Sequence, residues 1–181
     1  MKSALVLALA TMVTISVAAQ DMKDCPMHAQ HTAASSHGKE HYDGVDQRGA
    51  AHEGMGFRQS ATTHHFLLTE NGGIIQVTVN DAADKDSIAE VQQHFEHIGM
   101  AFAKGDFSIP HFVHDQTVPG VKVMKQQKAK ISYTAEKMGN GARLRIETTS
   151  PEALKAIHDF LRFQIADHRT GDPGTVDVSS N

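Results

Sequence analysis

Twice along this chain, two short runs of alternating apolar residues joined at glycine give way to a long apolar stripe spaced at threes and fours. The first instance runs from Thr62 to Thr69, turns at Asn71-Gly72-Gly73, and continues from Ile74 to Val79 with Ile75, Val77 and Val79 on one face. Ile88, Val91, Phe95, Ile98 and Phe102 then form the stripe, opened by Ser87-Ile88-Ala89-Glu90 in the pattern of a capping box and closed by Gly105. The second instance runs from Lys130 to Glu136 with Ile131 and Tyr133 inward, turns at Gly139-Asn140-Gly141, and returns through Ala142, Leu144 and Ile146. Ser150-Pro151-Glu152 starts its helix, Leu154, Ile157, Leu161 and Ile165 form the buried stripe, Phe160 and Phe163 widen it, and Thr170-Gly171-Asp172-Pro173 ends it. A period of two turns one face of a strand inward, and a period of 3.6 does the same for a helix. Two ββα units predict an α+β fold, a four-stranded antiparallel sheet with two helices packed on one face. Between the units, Pro110, Pro119 and Gly120 break any long element, so residues 106–128 are expected to be a connection with one helical turn near Val121 to Gln126.

The first nineteen residues read differently. Lys2 is a short positive start, Ala4 to Ala10 and Met12 to Val17 are apolar, and Val17-Ala18-Ala19 ends in the small side chains a signal peptidase reads. Residues 1–19 are therefore expected to be a signal peptide, cleaved before Gln20, and the protein periplasmic or secreted. No later segment reaches eighteen continuous apolar residues, so no membrane span is predicted. Of the 17 basic side chains, Lys2 leaves with the signal, so 16 face 21 acidic ones, a formal charge of −5. That balance argues against a nucleic-acid partner, which calls for a basic face. About 160 residues suffice for one hydrophobic core and leave little room for two.

Residues 20–57 lack apolar periodicity and hold Gln, Ser, Gly, Ala, Asp and five histidines, His28, His31, His37, His41 and His52. Such a composition buries too little apolar surface to offset its ordering entropy, so a disordered arm is expected over 20–57, a single α+β domain over 58–172 and a flexible tail over 173–181. Within the arm, Asp24-Cys25-Pro26-Met27-His28, with His31 three residues on, gathers a thiol, a thioether and imidazoles. Thiolate and thioether are soft donors suited to Cu(I), and imidazole suits Cu(II), Zn and Ni. Met22 and Met55 add two more thioethers to the arm. Cys25 is the one cysteine of the chain and has no partner for an internal bridge.

The folded histidines divide by position. His94 and His97 lie one turn apart on the first long helix and can bite one ion, without the His-Glu-x-x-His pattern of zinc peptidases. His64 and His65 point to opposite faces of the first strand. His111 and His114 fall in the connection, and Asp115 beside His114 offers a carboxylate to orient its ring. His158 and His168 lie beside the apolar stripe of the last helix, about 15 Å apart along its axis, too far to share one ion. One of His64 or His65 can meet His114 or His158 in a metal site. The alternative is that each buried ring bonds to backbone and holds sheet to helix.

Two resemblances attach to these residues. Asp24 to His28 resembles the Cys-Pro-Met-His core of small heavy-metal-binding modules of bacterial copper transport, which implies Cys25, Met27 and His28 as ligands. The likeness covers about five residues and lacks that core's following proline and second cysteine cluster. From Gly56 to Asp172 the chain is similar to a small exported bacterial family, in Thr63-His64-His65-Phe66, His158-Asp-Phe-Leu-Arg-Phe-Gln-Ile165, His168 and Thr170-Gly-Asp172. Some of its members carry the name aspartate carbamoyltransferase. The Ser-Thr-Arg-Thr run and the length such an enzyme needs are not in this chain, so the likeness implies a grouping and no mechanism. No Gly-x-Ser-x-Gly elbow, Walker loop or dinucleotide fingerprint occurs either, and no enzymatic activity is read. The residues thus predict a periplasmic metal-associated protein, with copper ahead of zinc or nickel and Cys25, Met27, His28, His31, His64, His65, His94, His97, His114 and His158 as candidate ligands. The competing class is a non-metal interaction module that docks a periplasmic protein and uses the arm as a tether.

Overall fold

The computed structural model describes residues 41–51 and 54–176. A helix over residues 41–50 (α1) and a 3-10 turn, Gln59–Ala61, lead into β1, Thr62–Thr69, and β2, Gly72–Val79. Three helices follow: α2, Lys85–Lys104; α3, Ser108–His114; and α4, Val121–Gln126. A second 3-10 turn, Lys128–Lys130, precedes β3, Ile131–Met138, β4, Gly141–Thr148, and α5, Pro151–His168. The sheet is antiparallel throughout, in the order β1-β2-β4-β3, so the two hairpins meet along their second strands. The α+β architecture of two ββα units is the one expected. Both long helices pack on the same face, α2 over β3, β4 and β2, and α5 over β1, β2 and β4.

That shared face is the core. Phe66, Leu68, Ile75, Val77, Leu144 and Ile146 of the sheet meet Val91, Phe95 and Phe102 of α2 and Ile157, Phe160 and Leu161 of α5, all buried. Burying each large apolar side chain contributes about 1.5–3 kcal/mol, and this layer holds the two helices in register. No helix of the described residues is long and apolar enough to cross a membrane.

Local chemistry sets the helix ends, and here the sequence reading shifts. Helix α2 is capped by Asp84, whose carboxylate accepts from Ser87 N at 3.0 Å and from its hydroxyl at 2.7 Å. The expected capping box at Ser87 therefore lies three residues inside the helix, because an upstream carboxylate is the better acceptor for the first free N–H groups. Gly105 ends α2 in the left-handed region, φ 81°. Ser150 and Pro151 start α5 as expected, with the Ser150 hydroxyl accepting from Ala153 N.

Three further expectations are corrected. The arm read as disordered over 20–57 is helical at residues 41–50, with Val45 fully buried; Phe57 joins the core. Arg48 Nε donates to Val113 O at 2.8 Å, and Asp46 accepts from Arg58 and from Ser60 N, so a polar, histidine-bearing segment docks through few apolar side chains and several hydrogen bonds. Residues 1–40, which include the expected signal peptide and the first part of the expected arm, lie outside the described residues. The connection holds a second helix, α3, because Pro110 falls in its first turn, where proline costs no hydrogen bond. Finally, residues 173–176 of the expected tail are tied down: Arg162 Nε donates to Gly174 O at 2.8 Å, and Val176 bridges Leu68 of β1 in parallel.

Candidate functional site

The inward face of α5 carries more than hydrocarbon. Its buried residues are Ala153, Ala156, Ile157, Phe160, Leu161, Gln164 and His168, whereas Leu154 and Ile165 are only half-buried. The stripe is thus rotated from the one expected, and its last two positions are polar. They meet His64 from β1 and His114 from α3 around a cavity of about 60 Å³. Met55, Phe57, Phe66, Phe95 and Ile98 are among its other walls, and His94 enters from α2. A volume of this size holds more than one water-sized body, which needs about 10–15 Å³ on this measure.

The imidazoles pack on one another. His64 and His168 stack with centroids 5.2 Å apart and planes 16° from parallel, and His114 meets His168 edge-on at 5.0 Å. His94 packs edge-on against Phe57 at 5.4 Å. Hydrogen bonds assign the protons. The single hydroxyl hydrogen of Thr62 is committed to the carbonyls of Gln59 and Arg58, so toward His64 Nδ1, 3.4 Å away, its oxygen is the acceptor. His64 therefore carries its proton on Nδ1. Its Nε2 is a bare lone pair, fully buried and without a hydrogen-bond partner. His168 Nδ1 donates to the Gln59 Oε1 at 2.5 Å, which leaves Nε2 of that ring unprotonated as well. Burial holds both rings neutral: the His64 pKa falls to about 4, first from desolvation and then from His65, and that of His168 lies well below the usual range from desolvation, His64 and His114. His94 is likewise lowered to about 4, by burial first and then by His97 and His64.

His114 has a different partner from the one its neighbours suggested. Asp167, not Asp115, accepts from its Nδ1 on Oδ2, and the other carboxylate oxygen accepts from His41 Nε2 at 2.8 Å. Burial raises the Asp167 pKa, but the hydrogen bonds and charge of His114 and His41 outweigh it and hold the carboxyl below its ordinary value. The other ring nitrogen of His114, Nε2, faces Gln164 Oε1 at 2.9 Å. Gln164 Nε2 is buried without a hydrogen-bond partner.

The remaining candidates are dispersed. His65 points to the opposite sheet face, as its place beside His64 required, and its Nδ1 donates to Asp172 at 2.8 Å. Burial raises the Asp172 pKa, yet bonds from Thr170, His65 and Phe66 N hold it below the usual carboxylate value. His97 is exposed while His94 turns inward, so this pair does not converge. His158 Nε2 donates to Thr69 O and Gly72 O, both at 3.0 Å, and pins the first hairpin turn to α5. Cys25, Met27, His28 and His31 lie outside the described residues. Among the described residues no three His, Cys, Asp or Glu side chains stand as they would around an ion. The sequence left open a site of His64 or His65 with His114 or His158, and His168 was not among the candidate ligands. The signal that could have found it is the spacing Ile157, Leu161, Gln164, His168, a helical face ending in two polar groups. No family model, curated protein or solved structure matches the chain.

Proposed function

We propose that this chain is an exported transition-metal-binding protein serving metal homeostasis in the periplasm, with copper as its cargo. The observation that carries the reading is the buried, unpartnered Nε2 of His64 on the wall of a cavity it shares with His168. Leaving a buried acceptor unmade costs about 1–3 kcal/mol, and a metal ion is the partner a bare imidazole lone pair suits best. The second support is outward hydrogen bonding: His64 to Thr62, His168 to Gln59 and His114 to Asp167 are the Nδ1–H contacts that orient metal-ligating histidines. In this reading the donors Cys25, Met27, His28 and His31 capture the ion, and the folded domain receives it.

Metal content of untagged protein taken from the cell envelope, followed by titration with copper, zinc and nickel, tests the reading. Copper retained through purification and rebound after chelation is the expected result. Protein that emerges metal-free and takes up none of the three ions overturns it.

A further inference from the structure

The two edges of the sheet differ. The strand order ends at β1 on one side and at β3 on the other. On β1, Asp172 accepts the Phe66 N–H and Val176 bridges Leu68. On β3, Met138 pairs with Gly141 across a two-residue turn, so the even-numbered residues exchange their bonds with β4 and the odd-numbered ones aim N–H and C=O outward. The Ile131 N–H is spent on Lys128 O. Tyr133, Ala135 and Lys137 keep both groups, and no main-chain hydrogen bond reaches their outer side from any other described residue. An eight-residue strand with a bare edge is a template for another strand.

The open groups match a second copy of the same strand. They are symmetric about Ala135, so antiparallel pairing with Ala135 opposite itself puts Tyr133 opposite Lys137 on both sides of a two-fold axis. Each such pair exchanges two bonds, so the three pairs make about six and use every open N–H and C=O of these residues. On the face away from the helices, the same register sets the Thr134 hydroxyl opposite the Glu136 carboxylate, a donor against an acceptor. No like charges stand directly opposite, the arrangement that cross-strand pairing penalises. The charges that remain are balanced within each copy: Glu136 accepts from Arg143 Nε at 2.6 Å, and Lys137 pairs with Glu96 at 2.9 Å.

The helix layer fits the same axis. α2 lies over β3 and β4. With strands about 4.8 Å apart, a helix axis midway over those two strands stands about 10 Å from its two-fold mate, the distance at which helices pack. The side of α2 next to this edge is open to such an approach. Gly99, Ala103 and Ala135 leave a groove between helix and strand, and Met100, 61% exposed, stands beside it. Its unbranched, adaptable side chain would be covered by the second helix.

We propose that this protein forms a two-fold dimer by antiparallel pairing of β3 with β3 of a second copy, with Ala135 at the axis. The two four-stranded sheets become one continuous sheet, with the two α2 helices side by side on its inner face. The dimer stands apart from the metal-binding reading and needs no ion.

The test uses the full chain from Gln20 carrying Cys25→Ser, with a chelator present so that neither a disulfide nor an ion can join copies. Sedimentation equilibrium from micromolar to millimolar chain is expected to show monomer and dimer in exchange. Ala135→Arg sets like charges at the axis and is expected to weaken association about a hundredfold or more. Circular dichroism is expected to stay unchanged, because Ala135 is exposed. Ala135→Glu alone is expected to behave the same way, and the two variants mixed are expected to recover a one-to-one dimer. Ala135→Cys, a small change, is expected to be joined efficiently by a short bismaleimide, and Thr63→Cys, exposed on β1 at the far edge, is not. A chain that stays monomeric throughout overturns the proposal and leaves the β3 edge to solvent or to a strand of another protein. A dimer that Ala135→Arg leaves unaltered overturns it in favour of another surface. Mixed variants that do not pair overturn Ala135 as the axis. If Ala135→Arg does not fold, cross-linking decides: Ala135→Cys joined no better than Thr63→Cys overturns the pairing.

Discussion

Replacing His158 by alanine separates the histidines that hold the fold from those proposed to hold an ion. The Nε2–H of this ring is shared by the carbonyls of Thr69 and Gly72, each 3.0 Å away, at the turn between β1 and β2. Gly72 is buried and Thr69 half-buried, so without the ring water compensates the second carbonyl more readily than the first. A buried acceptor deprived of its donor costs about 1–3 kcal/mol, which puts the expected loss for His158→Ala near 2 kcal/mol. For a folded region of this size that is a fall in Tm of about 8 °C. Urea unfolding followed by far-ultraviolet circular dichroism reads the loss, with Cu(I) and Zn(II) binding measured on the same preparations. His158→Gln, whose amide can reach one carbonyl, is expected to recover part of the stability. Metal affinity is expected to be unaltered in both variants. An alanine variant within about 0.5 kcal/mol of the parent, or one that keeps its stability and loses its ion, would refute the assignment of His158 as a structural pin.

Acid should weaken the metal-free fold well above the range where carboxylates titrate. His64 and His94 have folded pKa values of about 4 against an ordinary 6.5, so the unfolded chain takes up protons that the folded chain refuses. Stability is then fully present above pH 6.5 and falls as the pH drops toward 4, by up to about 3 kcal/mol for each ring; a urea midpoint that stays level between pH 7 and 4.5 would contradict this. Gly120→Ala should be severe. Its φ of 78° is left-handed, and a Cβ there would stand 2.0 Å from Ala156 O on α5, so thermal unfolding should show a loss of more than about 2 kcal/mol, and an unchanged Tm would count against the close approach of α4 to α5.

The regular part of this fold was legible in the sequence because its periodicity is strong. Both hairpins, both long helices and the short turn of helix at Val121 could be placed from alternation, stripe spacing, glycine and proline alone. What was not legible depends on contacts between distant segments. The helix over residues 41–50 carries one fully buried side chain, Val45, and is docked by Asp46, Arg48 and His41 reaching partners far along the chain, which no local pattern announces. The candidate site was half-visible for the same reason. Strand parity showed that only one of His64 and His65 faces the helices, with His114 or His158 as its partner, but not which; the group that orients His114 is Asp167, 53 residues away, and Asp115 was merely nearer in sequence. His168 was missed because the stripe of α5 was assigned to Leu154 and Ile165, when the turns that face inward are those of Gln164 and His168.

The segment after α5 covers the margin of the sheet at β1. Asp172 accepts the Phe66 N–H, and Val176 bridges Leu68, so groups that β1 would offer to a foreign strand at the sheet margin are already taken. An unguarded margin is a template for chain-to-chain pairing. Truncation before Thr170 would strip this cover and leave the backbone of β1 at Phe66 and Leu68 open to a foreign strand.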